Sequence, residues 1–523
     1  MIRKKTKWTG MLLAIVVLML VSACGESSNG ESSNKDGANK SASSSPPSTS
    51  SNESSTPPKT ELPFVELSYY YPTATSNVSD VALIEAEINK ILEKEINAHI
   101  KLNPVDFGAY GQKMNLMNSA GDVYDLAFVS NWLNDYYQNV SKGALIPLDD
   151  LLKEYAPTLY SSIPDSVWNG TRVKGEIFGA INLQIYAMPY GPVAFEEVAQ
   201  KYNLDLSKIN SLRDLEPYLA SWNEPHNRFL PNHDFFISAP PYFGFDSIGE
   251  VSSVGWVKLD DPNLTVVNQF DSAEFKETIE TLREYMKKGY IPEDAALITG
   301  EMITNEIQAG RLPLMISANM PVKPGVDAEE QIKYNRKVVY AEATAPLVTT
   351  DRIVGTMTGI SRTSKNPERA MMFLEQINTN KQLYSLITNG IEGKHYTVVD
   401  AANGVIEKIQ DSGYSPNADW VYGNQFNAYY TDANNVGIWE KTQEMNATAA
   451  VSPLLGFTFN PEPIKSELAQ VSSVWSEYMV GFMTGSYDLD KKYPEFLEKL
   501  NKAGAAKVIA EKQSQVDAWK ANK

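Results

Sequence analysis

The chain has 523 residues, 43% of them apolar and 10% aromatic, a formal net charge of −18 and a single cysteine. That length suits at least two lobes around buried cores, and the acidic surface excludes nucleic acid and anionic lipid as charge-driven partners. One cysteine excludes an intramolecular disulfide and any zinc site built from several thiolates. In chain order, residues 1–23 read as an export signal. Arg3, Lys4, Lys5 and Lys7 precede an apolar run from Met11 to Val21, and the small residues Ser22 and Ala23 stand before Cys24. The apolar run falls short of the roughly 20 residues that a stable span requires.

Residues 25–58 contain 13 serines and no Leu, Ile, Val or aromatic side chain. Such a segment buries too little to offset its ordering entropy and is expected to be a disordered tether. As a flexible coil its mean reach is about 30 Å. The folded part opens with "ELPFVELSYYYPT", an alternating strand, followed by a helical pattern at Val81, Ile84, Ile88, Ile91 and Ile96. A second strand ("HIKLNPVDF"), a helix expected to stop at Gly121, and a third strand ("VYDLAFVSNW") follow. Strand and helix in alternation predict an α/β fold with parallel strands, whose ligands sit at the strands' carboxyl ends. Tyr70, Tyr71, Asn131 and Trp132 occupy those ends. Farther on, helices are expected to end at Gly289 and Gly390, and the last 60 residues read as a mostly helical, charged extension.

Several of these stretches carry a resemblance. "VSAC" before the serine-rich tether resembles the lipobox of bacterial lipoproteins, in which the cysteine is acylated after cleavage just before it. "GALIPLDDLL", the Trp168 segment with "GEIFGAI", and "EIQAGRLPLMIS" resemble landmarks of family 1 extracellular solute-binding proteins of bacterial ABC importers. "NPERAMMFLEQINTNKQLYSLITNGIEGKHYTVV" and "VSPLLGFTFNPEPIKSELAQVSSVWSEYMVGFMTGSYD" are similar to the LplA-type lipoprotein subgroup of Gram-positive bacteria. The resemblance implies a two-lobed, periplasmic-binding-protein-like type II fold with a ligand between the lobes. It places the crossings near Ile181, Ala345 and Tyr396. The implied organisation is a signal over 1–23, a lipidated Cys24 with its tether over 24–60, a first lobe over 61–180 and 346–396, and a second lobe over 181–345 and 397–523 that includes the helical extension. It also implies a monomer anchored by lipid to the outer face of the cell membrane and working with ABC permease subunits.

Neither H-E-x-x-H, G-x-S-x-G nor a P-loop occurs. Only His99, His226, His233 and His395 are available for chemistry that needs histidine; His226, His233 and Asp234 share a proline-rich loop that reads as hydrogen-bonded rather than metal-binding. Adjacent acidic pairs such as Asp149/Asp150 read as helix-end charges, because neighbours on a helix do not face one another. No catalytic residue, metal or cofactor is therefore expected. Aromatic residues are more informative: 9 Trp and 27 Tyr offer flat apolar faces with polar tips, the complement of a sugar ring. Among Tyr71, Trp132, Trp168, Tyr186, Tyr190, Trp256, Trp420 and Trp439, the polar and turn-rich surroundings of Tyr71, Trp132, Trp256 and Trp420 select these four as ligand contacts. Asn131, Asn424 and Gln425 are their expected hydrogen-bonding companions, and Arg172 or Lys258 would receive an anionic sugar. The expected function is capture of an oligosaccharide for an ABC importer. A surface-anchored carbohydrate-active enzyme, a peptide-binding protein and a receptor for a uronic-acid oligomer are the alternatives.

Overall fold

The alternation in Val65–Thr73 puts Leu67, Tyr69 and Tyr71 on one buried face. This strand lies second from the edge of a five-stranded sheet. It pairs in parallel with Ala98–Asp106 on one side and Leu126–Val129 on the other; Met357–Ile360 then adds antiparallel to Leu126–Val129, and Ala180–Ile181 closes the far edge. The computed structural model describes residues 62–74, 77–221, 229–299, 301–303, 305 and 317–522. Cys24, the tether, His226 and residues 306–316 of one family landmark lie outside the described residues.

Helix Val81–Ile96 buries Ile84, Ile88, Leu92 and Ile96, one residue per turn, against this sheet. It ends at Asn97 in the left-handed conformation. Helix Phe107–Ala120 begins where the Asp106 carboxylate accepts the Gly108 N–H at 2.8 Å, and stops at Gly121. Helices Pro367–Thr379 and Lys381–Asn389 complete the packing of this first lobe.

The second lobe is built around Tyr190–Phe195, buried along its whole length between the antiparallel strands Ser317–Pro321 and Val338–Tyr340. Beside it stands a three-stranded antiparallel sheet of Phe245–Ser247, Trp256–Lys258 and Val266–Val267. Helix Ala273–Lys287, opened by Ser272, and the C-terminal helices Lys465–Met483, Leu489–Lys502 and Ala505–Ala521 cover these strands. The extension is thus part of the core. Trp475 stacks on Phe270 at 4.7 Å, and Phe482 and Phe496 pack on Phe275.

Between the two cores runs a small sheet made of the connections themselves: Ala187–Met188, Leu347–Val348 and Ala450–Val451. The third crossing is therefore at Ala450–Val451 and not near Tyr396. The hairpin Tyr396–Asp400/Val405–Lys408 stays with the first lobe, and Tyr414, Ala418, Val421 and Tyr422 bury into the first core. Helix Ile438–Thr448 packs there too, through Trp439 and Met445. Residues 397–449, expected in the second lobe, belong with the first because their apolar side chains find their partners there.

Candidate functional site

The sheet of connections forms one wall of a cleft of ≈ 450 Å³. The first lobe contributes Asn131, Trp132, Gly355 and Thr356; the second contributes Ser238, Pro240, Pro241, Asp246 and Ser247; Gln184, Met188, Tyr190, Leu347, Asp351 and Arg352 come from the connections and their flanks. Trp132 and Asn131 follow directly on strand Leu126–Val129, where the α/β topology places ligands.

A turn holds Trp132 in place. Ser130 Oγ accepts the N–H groups of Trp132 at 3.3 Å and Leu133 at 2.8 Å, and the indole N–H donates to the Gly355 carbonyl at 2.9 Å. With its polar atom tied back, the ring keeps 55% of its surface exposed beside the cleft. Phe107 supports it at 6.0 Å and Trp420 at 5.9 Å, while Phe107 and Trp420 stack on each other at 5.7 Å. An immobilised, wet-faced aromatic of this kind loses little entropy on binding and suits the apolar face of a sugar ring.

The ionisable groups that carry acid or charge are two carboxyls and one guanidinium, Asp246, Asp351 and Arg352. Asp246 is 7% exposed; burial pushes its carboxyl up to about 7, the nearby Asp351 charge adds to the rise, and the Ser452 hydroxyl donating to it works against both. Asp351 reaches solvent at the cleft, yet the protein crowded around it still raises its carboxyl above the ordinary range, against the pull of Asn131 and Arg352. Arg352 donates to the Tyr190 hydroxyl at 2.9 Å and so links the short helix Thr350–Ile353 to the first strand of the second lobe. Gln184 donates to Thr356 Oγ1 at 2.6 Å.

Of the residues singled out in the sequence, the structure brings Asn131 and Trp132 together on the cleft, with Trp420 half-buried behind Trp132. Tyr71 and Trp256 are corrected. Tyr71 is fully buried against Tyr422, and Trp256 is fully buried with its ring stacked on Phe236 at 5.4 Å, so neither has surface to offer a solute. Asn424 and Gln425 serve the loop that carries Trp420: Asn424 donates to the Asn378 carbonyl at 3.3 Å, Gln425 donates to Asp419 at 2.9 Å, and the Gln425 N–H bonds Leu183. Arg172 is occupied by Asp149 at 2.7 Å and Lys258 by Glu274 at 2.7 Å, and neither lines the cleft. Sequence reasoning missed Asp246, Asp351 and Arg352. They belong to no local motif and meet only when separate elements fold together; the sole sequence trace was Tyr190 in the aromatic inventory.

The chain has counterparts among known proteins. A family model described as bacterial extracellular solute-binding protein matches residues 74–225. A "Carbohydrate ABC transporter substrate-binding protein" of Streptococcus pneumoniae is 28% identical over 460 residues, covering 84% of this chain and 88% of the relative. Over most of its length the chain is thus similar to extracellular solute-binding proteins. That likeness is to proteins that bind a solute, and it makes the chain a binding protein and not an enzyme. "Lipoprotein LipO" of Bacillus subtilis is 18% identical, with 80% of this chain and 86% of the relative covered. The crystal structure of the N-glycan transport solute binding protein NgtS from S. pneumoniae superposes with a TM-score of 0.73 at 25% identity, covering 87% of this chain and 98% of that one. The chain thus has the expected α/β periplasmic-binding-protein fold with C-terminal helices. A second model, a domain of unknown function (DUF3502), matches residues 453–521, which include those helices.

Proposed function

We propose that this protein captures an oligosaccharide in the interlobe cleft and delivers it to the permease of a carbohydrate ABC importer. One observation carries the reading: an exposed, hydrogen-bonded tryptophan, Trp132, stands beside polar groups from both lobes in a single cleft. Pockets that combine a few placed polar groups with an aromatic face are those that orient small ligands. The kinship with NgtS supports it, since that protein has been solved with Man1GlcNAc and with Man5GlcNAc. Superposition on those complexes gives TM-scores of 0.63 and 0.61, lower than the 0.73 of the other NgtS crystal.

The LplA-type placement rests on the runs from Asn366 and from Val451. Anchorage at the outer membrane face rests on Cys24 and on the likeness to LipO; among the described residues no helix is long and apolar enough to cross a membrane.

The test is calorimetric titration of the purified protein against paired neutral and acidic glycans, with Man1GlcNAc and Man5GlcNAc among the neutral ones, and chromatography of the mixtures. Saturable binding without new products is expected. Trp132→Ala should weaken it about tenfold or more with an unchanged melting temperature. Trp256→Ala, a core truncation, should instead cost about 3–5 kcal/mol of stability. Binding by peptides alone, or steady release of shorter sugars, would overturn the proposal.

A further inference from the structure

The third connection grips both lobes at once. After Ala450–Val451, the Ser452 N–H extends the ladder to the Val348 carbonyl at 2.9 Å. Ser452 is 2% exposed: its oxygen accepts the Leu454 N–H at 3.1 Å while its hydroxyl donates to Asp246 on the second-lobe strand. Leu454 packs with Ile248, Val257 and Phe457 in the second lobe, whereas Leu455 turns into the first core beside Gly170. Thr350, just ahead of Asp351 and Arg352, donates its hydroxyl to the Leu454 carbonyl at 3.3 Å and accepts the Gly456 N–H at 3.0 Å. Gly456 makes this possible: its φ is +87°, and a Cβ there would come within 2.9 Å of the Asn169 carbonyl. Helix Ala505–Ala521 braces the loop from behind, with Val516 in the same cluster as Leu454 and Trp519 against Phe457 at 5.7 Å.

We propose that the Ser452–Gly456 loop is a positioning element for the ligand cleft, in which Ser452 sets the Asp246 carboxyl and Thr350 seats the short helix bearing Asp351 and Arg352. A carboxyl of the second lobe and two charged side chains beside a connection are thereby held in register by one loop. The segment of unknown function from residue 453 onward gains a role at the site: its first turn arranges the cleft and its last helix stiffens that turn. The inference rests on the cleft being the ligand site. Asp351 is the charged group that faces Asp246, and the Ser452 bond favours the Asp246 carboxylate against both burial and that charge.

The test has a ligand-free arm and a binding arm. In the first, the full folded chain labelled with ¹³C at aspartate carboxyls is titrated by NMR as wild type, Ser452→Ala, Ser452→Thr and Thr350→Val. Ser452→Ala should raise the Asp246 midpoint by about one pH unit, and Ser452→Thr should restore it. Thr350→Val should displace the Asp351 titration, and it keeps the test alive if Ser452→Ala does not fold. In the second arm, the pH profile of Man5GlcNAc affinity should shift in Ser452→Ala and return in Ser452→Thr. Coincident wild-type and variant titrations of both aspartates, or an affinity profile indifferent to Ser452, would overturn the positioning role. Failure of the wild type to bind any glycan would instead sink the proposed function, and the first arm would still decide the geometry.

Discussion

Lys512 illustrates what burial does to a single side chain. It has no exposed surface; its ammonium donates to the Val254 carbonyl at 2.7 Å and sits 5.4 Å from the Phe459 ring, and its stem lies against Gly255, where a Cβ would come within 2.5 Å. Burial pulls the amine down to about 7, with Glu250 opposing the fall. Folding therefore releases a proton that the unfolded chain keeps up to about 10.4. Stability should rise with pH between those two values and lose this contribution to its slope below 7. Urea denaturation across that range should show the rise in the wild type and a shallower one in Lys512→Met, the difference amounting to on the order of 4 kcal/mol. Parallel curves would mean that the amine stays charged when buried. At this scale the sequence was a poor guide: Trp132 and Trp256 both stood among polar neighbours, yet one is wet and the other sealed in the core.

At the scale of elements, local rules served well where an element's partners are near in sequence. The isoleucine spacing of Val81–Ile96 and the stops at Gly121 and Gly289 are all in the structure, because each follows from helix periodicity or from a left-handed terminal residue. The C-terminal helices were legible as helices but not as core. Ala505–Ala521 presents Val508 and Val516 to the second lobe and covers Val257, Leu264, Val266, Leu454 and Phe457. A chain ending at Gly504 would bare these side chains, whose individual losses run to about 2–5 kcal/mol when large buried groups are removed. Such a chain is expected to bind a hydrophobic dye, to melt lower, and to lose glycan affinity as the Ser452–Gly456 turn loosens. Unchanged melting would show the helix to be an appendage.

For the whole molecule, two lobes share three connections that pair into one sheet, so a turn about that sheet alters the cleft while leaving each core intact. Place in the cell is a separate matter, which the lipobox reading of the N-terminal segment assigns to Cys24. Cys24→Ala should move the protein from the membrane fraction to the medium, or leave it with its signal uncut; mass spectrometry of the wild-type N-terminal peptide should find an acylated cysteine in the first position. An unmodified Cys24 in a membrane-bound wild type would contradict the lipobox reading.

The sequence by itself determined the class of fold, the order of its first strands and helices and the likeness to solute-binding proteins, because these depend on local periodicity and on ordered landmarks along one chain. It also marked Asn131 and Trp132, whose position at a strand's carboxyl end is a local property. Only the tertiary structure decided that the third crossing lies at Ala450–Val451, that Tyr71 and Trp256 are core, and that Asp246, Asp351 and Arg352 face one cleft. Burial and carboxyl proximity arise between residues far apart in sequence, such as Asp246 and Ser452, and no pattern within either segment encodes the other's approach.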